Sequence, residues 1–363
     1  MLIRNYTLRF VTPAFLGNAE QSGQWRTPPI KALLRQWWRV AYAADQRGAI
    51  NGATVNAMRT AEGQLFGVAD SEGESRKSQV RIRLGTWSVG TLKSWDRLEQ
   101  ALVEHPEVER TGYRVGPHAY LGFGPLDGRG GTRLGDKCHA AIQADESAAI
   151  SLAFPSGRDA ACMDTALWLL HQYGTLGGRS RNGWGSFSLL PADDGTPALT
   201  GPLAERLSTD WQDALKLDWP HAIGRDAQGP LIWQTDAVAD WKAVMRCLAE
   251  IKIGLRTQRA FTLTTGKNAA SPELRHWLSY PVTNHNVTSW KERDSKRDLR
   301  LPNSLRFKVR ADGEGKLRGV IFHVPCLPPP QFRPDRPAIV KVWQQVHTFL
   351  DQQPAQTLQR IAA

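Results

Sequence analysis

Three groups of residues in this sequence have the types and spacing to do chemistry. Lys31, Arg35 and Arg39 recur at i, i+4 and i+8, with Arg26 just before them and no acid between Arg26 and Ala44. That spacing puts them on one helix face, and a row of cations without local acids suits the phosphates of a nucleic acid. Trp38 lies between this stripe and the apolar side. The second group is GTLGGRSRNGWGSF, from Gly174 to Phe187. Gly177, Gly178, Gly183 and Gly185 let the main chain approach a ligand and present amides, while Arg179 and Arg181 add charge beside Ser180, Asn182 and Trp184. The segment matches neither GxxxxGK[ST] nor GxGxxG, and it runs from helix to strand, the reverse of a phosphate loop. The third group pairs His118 with Tyr120, His139 with Lys137 and His171 with Tyr173. Such pairs can act as base and acid on a 2′-hydroxyl. No spacing unites them. His171 falls near a helix end, where a cation favours the dipole, and His118 sits in a Gly/Pro loop, so structural roles account for them better.

Charge extends the first reading. Lys+Arg 46 against Asp+Glu 35 gives a net charge of +11 over 363 residues, which points to an anionic partner. Arg76, Lys77, Arg81 and Arg83, and later Lys252, Arg256, Arg259 and Lys267, form further acid-free clusters. Separate cationic patches suit a sugar-phosphate backbone better than a small acid, although any one of them alone reads as a solvated face. Trp38, Trp184 and Trp290 adjoin cations and are candidates for base stacking or cation–π contact; Trp37 and Trp343 fall on apolar stripes. No cofactor or metal is indicated. The four cysteines show no CxxC spacing, and the pairs His323/Cys326 and Cys138/His139 lack a second half.

The elements that must position these groups follow from periodicity. Tyr6, Leu8 and Phe10 alternate as a strand; Ile30, Leu33, Leu34, Trp37, Trp38 and Ala41 mark an amphipathic helix after Thr27-Pro28-Pro29, with Thr27 as its cap. Val80, Ile82 and Leu84 form a strand, the stretch Gly112 to Gly135 loops and a hairpin, and Ile150, Leu152 and Phe154 another strand. A helix over Asp159 to Tyr173 and a strand over Gly185 to Leu190 follow. This order is βαββαβ. Trp241 to Ile251 begins a looser copy, with a hairpin across ADGEGK and a final helix from Ile339 to Leu350. The expected fold is α+β, two tandem ferredoxin-like βαββαβ domains with insertions. The limits are 1–190, a linker and irregular segment over 191–240, and 241–363. The polar stretch Lys291, Glu292, Arg293, Asp294, Lys296, Arg297, Asp298 and Arg300 reads as a strand-free loop. No apolar run is long enough to span a membrane, so a cytoplasmic protein is expected.

TPAFLGNAEQ followed by RTPPIKALLRQWWR resembles the start of RAMP-superfamily proteins, and GGRSRNGWGSF resembles that superfamily's glycine-rich loop. LSYPVTNHN, RLPNSLRFKV and GVIFHVPC are similar to second-domain segments of its subunit-one family in the Cmr effector complex of type III-B CRISPR systems. The resemblance implies tandem RNA-recognition-like folds that hold CRISPR RNA by its backbone. It implies a place at the guide's 3′ region near the paired target RNA, neighbouring RAMP subunits as partners, and no cleavage of the target. Position by position, Lys31, Arg35 and Arg39 match the basic helix, and Gly177, Gly178, Arg179, Arg181, Gly183 and Gly185 match the loop. The aromatic stretch of ordinary RNA-recognition modules is missing, so base stacking on a sheet face is not expected. The competing readings are a metal-independent endoribonuclease that processes CRISPR RNA, and a scaffolding subunit. A last expectation is that the helix stripe and the glycine loop border one groove, with Arg256 and Arg259 as an alternative site.

Overall fold

The structure is a computed structural model describing residues 1–46, 52–69, 75–96, 98, 100–128, 131–292, 295, 297–312 and 314–361. Its first half runs β1 (Leu2–Phe10), α1 (Thr27–Asp45), α2 (Gly52–Phe66), β2 (Arg81–Leu84), α3 (Pro117–Gly122), β3 (Ser147–Phe154), α4 (Arg158–Tyr173) and β4 (Phe187–Pro191). The antiparallel sheet has the order β2-β3-β1-β4. Alternation sends Tyr6, Leu8 and Phe10 of β1 inward, where they are fully buried. Ile30, Leu34, Trp37 and Ala41 of α1 join the same core. Prolines in the first turn of α1 give up no useful amide; Thr27 starts the helix rather than capping it, and Arg26 precedes it in extended backbone. Between β2 and β3, in the stretch expected to hold loops and a hairpin, the helix α3 is unexpected, and a short antiparallel ladder pairing Leu126 with Leu134 follows it.

The second half repeats the connectivity. β5 (Ile232–Gln234), α5 (Trp241–Arg256), β6 (Leu305–Ala311), β7 (Leu317–His323), α6 (Arg336–Asp351) and β8 (Gln359–Arg360) build a sheet of order β6-β7-β5-β8. Each sheet therefore places its first strand between its third and fourth, with its second strand on the edge. The expected linker over 191–240 is not unstructured: it holds short strands at Ser208–Asp210, Ile223–Asp226 and Gly229–Pro230, and it supplies β5. The stretch Lys291 to Arg300 is not wholly strand-free either, since Lys291 bridges Asp298 and the Glu292 amide donates to Arg297 O at 2.7 Å. Arg293, Asp294 and Lys296 lie outside the described residues.

Edge strand meets edge region where the two halves join. The Val309 amide of β6 donates to Ser186 Oγ at 2.8 Å, and the Phe307 amide to Arg181 O at 3.0 Å. Ser186 Oγ in turn donates to Gly183 O, which also accepts from Thr12 Oγ1, both at 2.8 Å. The two central amides of β6 that face away from β7 thus find acceptors in the first half, and Leu305 finds Asn303 Oδ1, so the middle of this sheet edge is covered. Replacing Ser186 by Ala leaves the buried Val309 amide without its acceptor. The expected cost is about 1–3 kcal/mol, read as a lowered urea midpoint; an unchanged midpoint would show that another acceptor takes its place.

Candidate nucleic-acid interface

The glycine loop after α4 is shaped by contacts rather than by open space. Gly185 has φ +64, and a Cβ there would stand 1.8 Å from Leu176 O. Gly177, at φ +95, would put one 2.7 Å from Phe15 O. These two positions require glycine, and both press the loop against its own protein. Gly183 sits over Met245 of α5. From Gly177 to Gly185, four amides find acceptors within the protein: Gly178 donates to Phe15 O, Asn182 to Arg179 O, Gly183 to Ser180 O and Gly185 to Pro13 O. Among the described residues, those of Gly177, Arg179, Ser180 and Arg181 meet no protein acceptor. The loop's amide surface is therefore its Gly177–Arg181 tip, where Arg179 takes the left-handed φ of 56.

Several cations stand around that tip. Arg179 is exposed, its Nε donating to Phe123 O at 2.5 Å. Lys252 of α5 donates to Asn182 Oδ1 at 2.7 Å and lies 5.7 Å from the Tyr120 ring centre; Asn182 itself donates to Leu121 O. One turn on, Arg256 reaches Ser279 Oγ at 3.1 Å. From the other side, alternation along β6 aims Arg306, Lys308 and Arg310 at the first half while Leu305, Phe307 and Val309 fill the second core. Arg306 lies over Trp37 of α1 at 5.6 Å, Lys308 donates to His171 O, and Arg310 bonds Gln172 and Gln234. With exposed Arg300 and the loop's own Arg181, these make eight cations, and among the described residues none forms an ion pair.

The electrostatics register this crowding. Burial, followed by Arg181, brings Arg306 down to about 9. Burial and Arg310 push Lys308 well below the usual lysine range, and burial, Arg256 and Arg179 do the same to Lys252. Burial is the largest cause of each shift and works against the charged form, neighbouring cations add to it, and Glu107 is a carboxylate within reach of Arg256.

The expected basic stripe has a different environment. Arg35 and Arg39 both bind Glu62, the latter at 2.8 Å, and Glu62 is 1% exposed on α2. Their local neutralisation comes from a helix that periodicity along the sequence does not reveal. Burial, with help from Arg35, lowers Lys31, and Arg26 donates to Gly17 O at 2.8 Å. Among the described residues, no hydrogen bond or ion pair joins this stripe to the glycine loop, so the two are not brought to one groove by contact. Arg259 is exposed and stands three residues past Arg256.

The stacking candidates are core. Trp38 packs against Tyr42 and Phe66; Trp184, 0% exposed, sits among Phe15, Trp95 and Trp241; Trp290 lies between Trp277 and Phe332. Neighbouring cations in sequence misled here, because adjacent residues on a helix or turn point to different sides. The histidine pairs are likewise separated in role. His118 is enclosed by tryptophans and bonds Lys242 O, and His171 Nδ1 accepts from the Leu189 amide at 3.0 Å. His171 is held neutral rather than as a dipole-stabilising cation. His139 and Lys137 are exposed. His323 of the HxxC pair bonds His347 and Ser304. Among the described residues no group of three His, Cys, Asp or Glu is placed to hold a metal ion, and no helix is long and apolar enough to cross a membrane.

No protein-family model and no curated protein matches the chain. Among solved structures it is similar to Cmr1 from Pyrococcus furiosus in its apo form, at 16% identity and TM-score 0.45, covering 96% of this chain and 97% of that one. It is similar to a chain of a type III-B Cmr-beta complex bound to cognate target RNA, at 12% identity and TM-score 0.46, with 95% and 99% covered. A chain of a type IV-B CRISPR complex matches at 13% identity and TM-score 0.33 over 56% of this chain and 95% of its own. The first of these is the subunit whose family the sequence motifs resemble.

Burial of histidines makes the fold acid-sensitive. Burial holds His118 at about 4; burial, with Lys308 and Arg310, holds His171 at about 3; burial holds His347 at about 3. In the unfolded chain they titrate near 6.5, so below that pH the unfolded state binds more protons. Stability is complete above about pH 6.5 and falls towards pH 4 by up to ~1.4 kcal/mol per pH unit for each histidine. Thermal melts at pH 7 and pH 5 should show a clearly lower Tm at pH 5; equal values would mean that these rings protonate within the folded protein.

Proposed function

We propose that this chain is a non-catalytic RNA-binding subunit of a type III, Cmr-type CRISPR effector complex, contacting the guide's 3′ region and the paired target RNA in antiviral defence. The observation that carries the binding role is the pair of exposed cations Arg179 and Arg300 at the loop tip, backed by Arg181 and Arg256, none of which forms an ion pair among the described residues. The placement at the guide's 3′ region rests on the sequence motifs. Guanidinium and ammonium groups around a tip of free amides suit successive phosphates. The enclosed tryptophans leave little for base stacking, so the reading is of backbone contact without sequence preference. Two tandem ferredoxin-like units belong to this proposal, supported by the shared strand order of the two sheets. The first unit is 1–190, and the second starts with β5, so that the connector contributes its first strand. Cytoplasmic residence and neighbouring RAMP subunits are part of the same reading.

Binding without cutting is supported by the confinement of His118 and His171 in separate packed environments; the exposed pair His139 and Lys137 is the one that a cleavage assay addresses. The test uses Arg179→Glu with Arg300→Glu, both exposed positions, against single-stranded RNAs of unrelated sequence. Affinity should drop about tenfold or more for every RNA, and the slope of log affinity against log salt should flatten by about 0.7 for each phosphate that is no longer neutralised. Arg259→Glu serves as the comparison at the alternative site. Parent-like binding by the double variant would remove the seam as the RNA site, and weak affinity of the parent at every salt concentration would favour scaffolding. Cleavage of a repeat-containing RNA in EDTA would establish the nuclease reading.

A further inference from the structure

The acid-free cluster at Arg76, Lys77, Arg81 and Arg83 has no part in the seam, and the first sheet gives it a setting. The registers align Arg81, Ala153 and Ile3 in one row across β2, β3 and β1, and Arg83, Ser151 and Asn5 in the next. A further row runs Ala149, Thr7 and Leu190 over β3, β1 and β4. All these side chains lie on the face opposite the buried Tyr6, Leu8 and Phe10. Arg81, Arg83 and Ala149 are exposed, Ile3 is 57% and Leu190 47% exposed. Among the described residues Arg81 and Arg83 form no ion pair, whereas Arg9 on the same face is already bound to Asp145 at 2.7 Å. The face therefore has a cationic margin on β2, a trough of small residues along β3, and beyond it polar Asn5 and Thr7 on β1 between the exposed aliphatics Ile3 of β1 and Leu190 of β4.

We propose that this face docks one acidic amphipathic helix of a protein partner. Four strands about 4.8 Å apart span about 14 Å, the width of a single helix of 10–12 Å with its side chains. Arg81 and Arg83 stand about 6.7 Å apart along their strand, and acids at i and i+4 of a helix rise about 6 Å. A helix lying in the trough meets guanidinium groups with its acidic flank and covers Ile3 and Leu190 with its apolar flank. The exposed aliphatics favour protein over RNA: nucleotide backbones give them nothing to cover, and no aromatic residue stands among these rows to stack a base.

The probe is a synthetic helix about 20 residues long, with Glu pairs at i and i+4 on one flank and Leu on the other. A partner copy carries Lys for Glu, and binding is followed by fluorescence anisotropy. The parent should bind the Glu helix. Arg81→Glu with Arg83→Glu should weaken it about tenfold, reverse the preference towards the Lys helix and leave RNA affinity within about twofold. Leu190→Asp should weaken both helices. Failure of the parent to bind the Glu helix, or equal binding by the double variant, overturns the proposal. A tenfold loss of RNA affinity in the double variant would assign the face to nucleic acid instead. The readout is independent of the seam, since Arg179 and Arg300 are intact in every variant.

Discussion

The edge strand β6 has to satisfy two demands at once. Its inward residues Leu305, Phe307 and Val309 complete the second core, while the alternate positions carry Arg306, Lys308 and Arg310 into the join between the halves. A β-strand gives no freedom to redirect these side chains, because successive positions point to opposite faces. Three cations are thereby forced into an interior where, among the described residues, they meet carbonyls, amides and ring faces and form no ion pair. Lys308 is 1% exposed and ends on His171 O at the carboxyl end of α4, where the helix dipole and its unpaired carbonyls favour a positive group. Arg310 takes two glutamine oxygens, and Arg306 the Trp37 ring. Neutral partners satisfy donors without cancelling charge. Burial works against these charges, Lys308 most of all.

The glycine loop follows from the same strand. Its carbonyl at Arg181 and the Ser186 hydroxyl are acceptors for β6, so its path is fixed from one side by Phe307 and Val309 and from the other by Phe15 and Pro13. Gly185 and Gly177 are the positions where a side chain would collide with backbone, and they place the remaining tip outside. The loop thus presents free amides over a short stretch only. A loop held this firmly is a fixed surface rather than one free to close.

Much of this was readable from the residue order. Strong periodicity placed β1, α1, β3, α4, α5, the β6–β7 hairpin and α6, because apolar spacing of 2 or 3.6 residues is a local property. Other features depended on partners distant in sequence. Glu62 looks like one acid among many until α2 brings it to Arg35 and Arg39, and α2 itself has a weak apolar stripe. The alternation of Arg306, Lys308 and Arg310 with apolar residues was visible in RLPNSLRFKV, yet whether such cations face water or a second unit is decided by tertiary contact. Trp38 and Trp184 failed as surface candidates for the same reason: their adjacency to arginines is linear, and their burial is not.

The covered edge of β6 also bears on how divisible the molecule is. Tandem repeats of one topology invite separation into two working pieces by cutting the connector before β5. Here a cut would strip Val309 and Phe307 of their acceptors, expose the strand edge, and leave Lys308 without the helix end that receives it. The first piece would lose the roof over Trp37 and the α4 terminus. The hydrogen bonds across the join thus tie the two halves to each other despite their shared strand order.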